Sequence, residues 1–326
     1  MGGWTMVGMT PHPHPNLPPL PEVLRDCGAL VLERGWLSSN SVLFPWDPSP
    51  LLIDTGYSSH AQQTLSLVQQ HLSGQALQRV YNTHLHSDHC GGNAALQARY
   101  PNLRTVIPAN EAQWIADWCE ERLSFAATGQ HCPRFGYTDT HAPGDTFVVH
   151  GLRWQVHAAP GHDPNSAVFF QADHRLLISA DALWEHGFGV VFPELDGERA
   201  FDAVAATLDV IERLNPIWVI PGHGRPFSGV AEALARARLR LARFVSDPSY
   251  HERHALKVLL KFKLLDWQTI DWNNLARWCA NTPFLCQRIN AHTAAGGSAE
   301  QWLESLVADL CRSGAARLDN GQLIDQ

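Results

Sequence analysis

Lysine is almost missing from this chain of 326 residues: the only three, Lys257, Lys261 and Lys263, fall within seven positions. Residues 1–230 carry 12 arginines against 22 acids, a balance of 12 − 22 = −10, while residues 231–326 carry 12 basic and 10 acidic side chains, 12 − 10 = +2. A dedicated nucleic-acid binder shows a basic footprint, and this chain has none. It also lacks any apolar run of about 18 residues, so no helical segment is expected to span a membrane. Its seven cysteines are scattered, odd in number and free of any C-x-x-C spacing. That excludes a disulfide framework and makes a reducing, cytoplasmic setting the expectation. The first residues have neither a basic start nor an apolar core and do not read as a secretory signal. Residues 1–22 are expected to be a loose leader, with His12 and His14 as tail residues.

What is present is an ample core: 45% of residues are hydrophobic and 17% charged, which fits a globular α+β chain of one large domain with an appendage. Strands are expected at 41–46, 51–53, 79–82, 105–108, 146–149, 154–157, 167–170, 176–179 and 217–220. Helices are expected at 59–72, 93–100, 199–214 and 230–244, and residues 110–135 read as a helical segment with Trp114 and Trp118 one turn apart. Interleaved strands and helices suggest two sheets with helices outside. Residues 251–313 read as three helices, the last opening at Ser298 and closing at Gly314. Asn320-Gly321 between apolar alternations then marks a hairpin. Residues 23–245 are thus expected as the large domain of two sheets and helices and 246–326 as a small, mostly helical, winged-helix-like domain.

The chemistry is concentrated in Thr83-His84-Leu85-His86-Ser87-Asp88-His89-Cys90-Gly91-Gly92, which follows a short strand. Three imidazoles and a carboxylate within six residues have no use in a packed core, because each buried polar group needs a partner. One divalent cation satisfies them all. Cys90 is read as a small packing residue. Three more strand ends each deliver one metal-binding side chain: Pro160-Gly161-His162, Ala180-Asp181 and Pro221-Gly222-His223. A strand followed by Pro-Gly-His is weak evidence once and strong evidence twice beside such a cluster.

With these residues in place, the chain resembles the metallo-β-lactamase-fold superfamily of hydrolases over roughly residues 25–228. His84, His86, Asp88 and His89 match the family's H-x-H-x-D-H motif, and Leu52-Ile53-Asp54-Thr55-Gly56 matches its early strand motif. His162, Asp181 and His223 stand where its later ligands do. The resemblance implies a four-layer αββα sandwich with two divalent metal ions, and an acid at 181 sets it nearer the glyoxalase II branch than the antibiotic-degrading enzymes. Carried over residue by residue, His84, His86 and His162 hold one ion, Asp88, His89 and His223 the other, and Asp181 bridges them. Such a set suits zinc, and iron or manganese would also fit. Asp54 would orient a ligand imidazole through its other N–H, although an Asp before Thr-Gly also simply forms a turn. A hydroxide between two such ions would attack the substrate, with Asp88 returning a proton to the leaving group.

The substrate is open, since one such site serves many reactions. Residues expected near it are Trp184, His186 and Phe188 after the bridging acid, and Lys257 and Lys261 on one helix face, the last two set to meet a carboxylate or phosphate. The acidic first part argues against a polyanionic substrate, so the expectation is a small thioester, ester or lactone. The alternatives are a phosphodiesterase or ribonuclease whose tail grips RNA, and a persulfide dioxygenase using a single iron.

Overall fold

The computed structural model describes residues 18–326. His12 and His14 lie outside these residues, with most of the expected leader. The end of that stretch is helical rather than loose: a helix spans Leu20–Cys27 and buries Val23 and Cys27.

Two sheets form the centre. The first runs in the order β1 (Leu30–Leu32), β2 (Ser41–Phe44), β3 (Leu51–Ile53), β4 (Arg79–Tyr81), β5 (Arg104–Pro108), β6 (Asp139–His141). β1, β2 and β3 are antiparallel, and β3 to β6 are parallel. The second contains β7 (Thr146–Val149), β8 (Leu152–Ala158), β9 (Ala167–Gln171), β10 (Leu176–Ala180) and β11 (Trp218–Pro221), in the order β11-β10-β9-β8-β7. Only the β10–β11 pair in it is parallel.

Side-chain alternation along a strand places each sheet between two apolar layers. From the first sheet Val42, Phe44, Leu51 and Ile53 face inward and meet Trp154, Phe169, Ile178 and Ile220 of the second. The alternate residues Leu43, Leu52 and Val80 face outward, onto Val68 and Leu72 of the helix Ala61–Leu72. In the second sheet Val168, Phe170, Leu177 and Val219 face outward onto Val204 and Leu208 of the helix Ala200–Leu214 and Ala233 and Leu234 of the helix Val230–Ser246. Helix, sheet, sheet, helix: the fold is the expected α+β αββα sandwich. Continuous burial of β2, β3, β9 and β10 explains why these strands read as unbroken apolar runs.

The segment 110–135 departs from expectation. Its helix covers only Ala112–Asp117, because Trp118 adopts a left-handed φ of 55° and turns the chain out of the helix. The rest is irregular, yet Leu123, Phe125 and Phe135 are buried against Ile115 and Leu85. Apolar spacing there reflects burial without regular hydrogen bonding. The strands β1, β6 and β12 (Thr269–Asp271) carry no sequence expectation; each is three residues long.

The C-terminal region holds four helices against the three expected over 251–313: Pro248–Trp267, Trp272–Asn281, Pro283–Ala294 and Ala299–Arg312. Thr282 is extended and Pro283 starts a new helix, which splits one expected element into two. Ser298 accepts a hydrogen bond from the Gln301 N–H, and Gly314 has the positive φ of a helix C′ residue, 74°. β13 (Ala316–Asp319) and β14 (Gln322–Asp325) form the hairpin, with Asn320 and Gly321 at φ 49° and 76° as the tight turn demands. β12 pairs with β14 and completes a three-stranded sheet. This region docks on the sandwich: the Phe284 N–H donates to Ala127 O at 3.0 Å, and Tyr57 meets Phe262 edge-on at 5.1 Å.

Candidate metal centre

Five strand ends converge on one edge of the sandwich. β4 leads to His84–His89, β8 to His162, β10 to Asp181, β11 to His223 and β3 to Asp54. Two groups of ligand atoms result, each with its members within 4.8 Å of one another: His84, His86 and His162; and Asp88, His89, Asp181 and His223. All seven residues singled out in the sequence are therefore brought together.

In the first group His86 Nδ1 lies 3.1 Å from His84 Nε2 and 2.8 Å from His162 Nε2. The opposite edge of His162 donates from Nδ1 to Val190 O at 2.5 Å, so its Nε2 presents a lone pair. Burial together with the neighbouring imidazoles holds all three below the ordinary histidine range, His162 at about 4. Neutral imidazoles with converging lone pairs are the form that binds a cation.

In the second group His223 Nε2 lies 3.0 Å from Asp88 Oδ2. His89 Nδ1 is 2.8 Å from Asp54 Oδ2, which leaves its Nε2 pointing inward, buried and without a hydrogen-bond partner. Burial alone would depress His89, but Asp181, Asp54 and Asp88 together raise it well above its usual value. Burial would likewise raise Asp181; His89 and His223 instead hold it well below the carboxylate range. An inward-facing ring nitrogen beside two carboxylates, Asp88 and Asp181, is a place made for positive charge, and a divalent cation fits it.

Asp181, a member of the second group, also faces the first. Its Oδ2 lies 3.3 Å from His162 Nε2, while its Oδ1 lies 3.4 Å from His89 Nε2 and 3.8 Å from His223 Nε2. The backbone is bent to allow this: Ala180 has φ 46° and the β10–β11 register shifts beside it. Across the gap a side chain on Gly222 would collide with Asp181 Oδ1, which is why a glycine precedes His223. Behind the motif, Thr83 donates its N–H and hydroxyl to Asp54 at 2.9 and 2.8 Å, and Asn82 and Thr55 both donate to His89 O. Asn40 donates to Pro221 O and Gly224 O, pinning the His223 loop.

A cavity of about 920 Å³ opens from these clusters between the sandwich and the C-terminal helices. Trp184, His186, Phe188, Lys257 and Lys261 all line it, but they differ in what they can offer. His186 is exposed and lies 3.8 Å from Glu185. The Phe188 ring is buried and packs edge-on against Phe244. The Lys261 ammonium is taken up by Ala315 O and Asp325 Oδ1, both at 2.6 Å, so it fastens the last strand rather than facing an empty space. Lys257 is 3.7 Å from Asp309.

Several residues of the site carry no sequence signal. Trp36 lies in a loop with no motif, yet its ring stacks on His223 at 5.4 Å and 4°. Arg240 lines the cavity from the helix Val230–Ser246; its guanidinium reaches His254 Nε2 at 2.6 Å and His186 O at 3.4 Å, neither of them anionic. Glu111 is buried on the cavity wall with Oε2 unpartnered, and burial, reinforced by Asp163, raises its carboxyl. Asp163, next to His162 in sequence, sits 3.8 Å from His86 Nε2.

An αββα sandwich with His and Asp clusters at its strand ends defines a metal-binding hydrolase class of fold. The pattern of the metallo-beta-lactamase superfamily matches residues 34–243, and the chain belongs to that family. Among curated proteins it is 30% identical over 146 residues to a hydroxyacylglutathione hydrolase of Stenotrophomonas maltophilia, covering 45% of this chain and 46% of that protein. A Brucella anthropi protein of the same name is 24% identical over 212 residues, covering 65% of this chain and 68% of the relative. The matched stretch thus spans about half to two thirds of these relatives. A metallo-beta-lactamase family protein from Thermus thermophilus aligns with 92% of this chain and 99% of its own at a TM-score of 0.52 and 17% identity, a likeness of fold that reaches into the C-terminal region. Among the described residues no helix is long and apolar enough to cross a membrane.

Proposed function

We propose that the chain is a hydrolase that holds two divalent cations and cleaves a small thioester. His84, His86 and His162 would hold the first ion, Asp88, His89 and His223 the second, and Asp181 would join them. One observation carries this reading: the two oxygens of Asp181 face different clusters, Oδ2 toward His162 at 3.3 Å and Oδ1 toward His89 at 3.4 Å. Imidazole and carboxylate donors in this mixture suit zinc, with iron or manganese the other fits. Two such cations lower the pKa of water and polarise a carbonyl or phosphoryl oxygen.

The rest is the work of the chain's own side chains. Asp54 holds His89 by Nδ1 and so fixes which nitrogen faces the cluster. Val190 O does the same for His162. Asp88 lines the cavity and would carry a proton to the departing thiolate. The substrate class rests on the names of the relatives, since an acylglutathione is a thioester, and on a cavity large enough for such a molecule. Arg240 and Lys257 on its wall would receive a carboxylate of the thiol part. The C-terminal lysines give little support to an RNA-gripping tail: Lys261 pairs with Asp325 and Lys263 with Asp266.

The test is metal analysis with a panel of thioester, lactone and phosphodiester substrates, run beside Asp181→Ala. Two equivalents of metal and thioester turnover that vanishes in the variant are the expected result. Phosphodiester cleavage alone would move the assignment to a nuclease, and one iron with oxygen uptake would move it to a dioxygenase.

A further inference from the structure

Trp184 does more than line the cavity: its indole Nε1–H donates to Asp181 Oδ1 at 3.2 Å. Oδ1 is the oxygen turned toward His89 and His223, at 3.4 and 3.8 Å. The indole is itself held from three sides. The Trp184 N–H donates to Gly187 O at 2.6 Å across a tight reversal, the ring meets Trp36 edge-on at 5.5 Å, and it meets His223 edge-on at 5.4 Å. Trp36 closes the corner by stacking on the same His223 ring.

We propose that Trp184 is a positioning residue for the second cation: its N–H fixes the rotation of the Asp181 carboxylate so that Oδ1 serves the Asp88–His89–His223 cluster while Oδ2 serves the other. A carboxylate on a single Cβ–Cγ bond rotates freely unless one oxygen is tied. An N–H uses one lone pair of Oδ1 and leaves the other for a cation. Hydrogen bonds behind a ligand of this kind are worth about 10–100-fold in metal affinity. The inference rests on the two-cation reading above, and it adds a selectivity: the first cation depends on Trp184 less than the second, because His84, His86 and His162 converge on it without Asp181.

The experiment is a zinc titration of the full-length, metal-stripped protein, following the two dissociation constants separately, for wild type, Trp184→Phe and Trp36→Phe. Trp184→Phe keeps an aromatic ring, removes the donor and makes the side chain smaller. Its second dissociation constant is expected to rise about tenfold with the first rising much less, and kcat to fall at saturating substrate with KM unchanged when zinc is subsaturating. Trp36→Phe disturbs the same corner, including the stack on His223, without touching the N–H, and its second constant is expected to rise less than that of Trp184→Phe. Equal second constants in wild type and Trp184→Phe overturn the proposal, as does an equal loss in both variants, which would make packing the cause. A wild type that binds one equivalent overturns the two-cation reading itself. Far-UV circular dichroism and the unfolding temperature of the metal-free variants separate a lost donor from a lost fold.

Discussion

Asp54 Oδ2 lies 2.8 Å from Nδ1 of His89, across 35 residues of sequence, and this contact decides which edge of the imidazole faces Asp181. Asp54 has a φ of 57°, a conformation that Asp and Asn tolerate better than other side chains. Asp54→Asn therefore keeps the backbone, removes the charge and turns one of the oxygens that accept from Thr83 and His89 into a donor. Affinity for the second cation is expected to drop about 10–100-fold, measured by competition with a chromogenic chelator. Two undiminished equivalents at wild-type affinity would leave Asp54 as a turn former and nothing more.

Gly222 is the second point where backbone geometry sets the chemistry. A methyl group there would occupy the position of Asp181 Oδ1, so Gly222→Ala must turn the shared carboxylate away from His89 and His223. The variant is expected to keep its far-UV circular dichroism and retain at most one equivalent of metal. A fully loaded Gly222→Ala protein would mean that Asp181 has room the present geometry denies it.

The ligand set is legible in the sequence because every member sits at a strand exit and belongs to a short local pattern: His84 to His89 in one run, and His162 and His223 each behind Pro-Gly. Sequence spacing carries such information directly. What it does not carry is the identity of residues that meet only through the fold. Trp184 stands three residues after Asp181 and is expected near the site, but Trp36 is 184 − 36 = 148 positions away from it, and nothing local marks Trp36 as a cover for His223. Arg240 is an ordinary member of an amphipathic helix until the turn at Gly187 and the Pro248–Trp267 helix enclose it. The same limit explains the segment after Trp118. Its buried Leu123, Phe125 and Phe135 give an apolar signal, but one left-handed residue removes the helix that the signal suggests. The central strands match their expected bounds nearly to the residue because burial on both faces writes itself into composition.

Lys261, expected from sequence to meet substrate, has contacts that argue for a different consequence of mutation. The ammonium holds Ala315 O and Asp325 Oδ1 at 2.6 Å each and ties the strand β14 to the helix Pro248–Trp267. Lys261→Ala is expected to lower denaturant stability by about 1.5–3 kcal/mol, the range for hydrogen bonds to a charged group, with kcat and KM unchanged. A raised KM at unaltered stability would return Lys261 to the substrate site.

Two histidines of the helix Pro248–Trp267, outside the metal clusters, set an acid limit on the fold. Burial, followed by the charge of Arg240, brings His251 down to about 4; burial, then Arg240, Lys257 and His251, brings His254 down to about 3. His254 Nε2 lies 2.6 Å from Arg240 Nη2 and serves as the neutral acceptor. In the unfolded chain both would titrate near 6.5. Below that pH the unfolded state binds protons that the folded state refuses, so stability falls as pH drops from 6.5 toward 4, by at most about 1.4 kcal/mol per pH unit for each histidine. His254→Gln keeps an acceptor for Arg240 and removes the titration. Its unfolding temperature, recorded on metal-free protein from pH 7 to 4, is expected to fall less steeply than that of wild type while matching it at pH 7. Parallel curves would place the acid sensitivity elsewhere, in the carboxylates that acid neutralises.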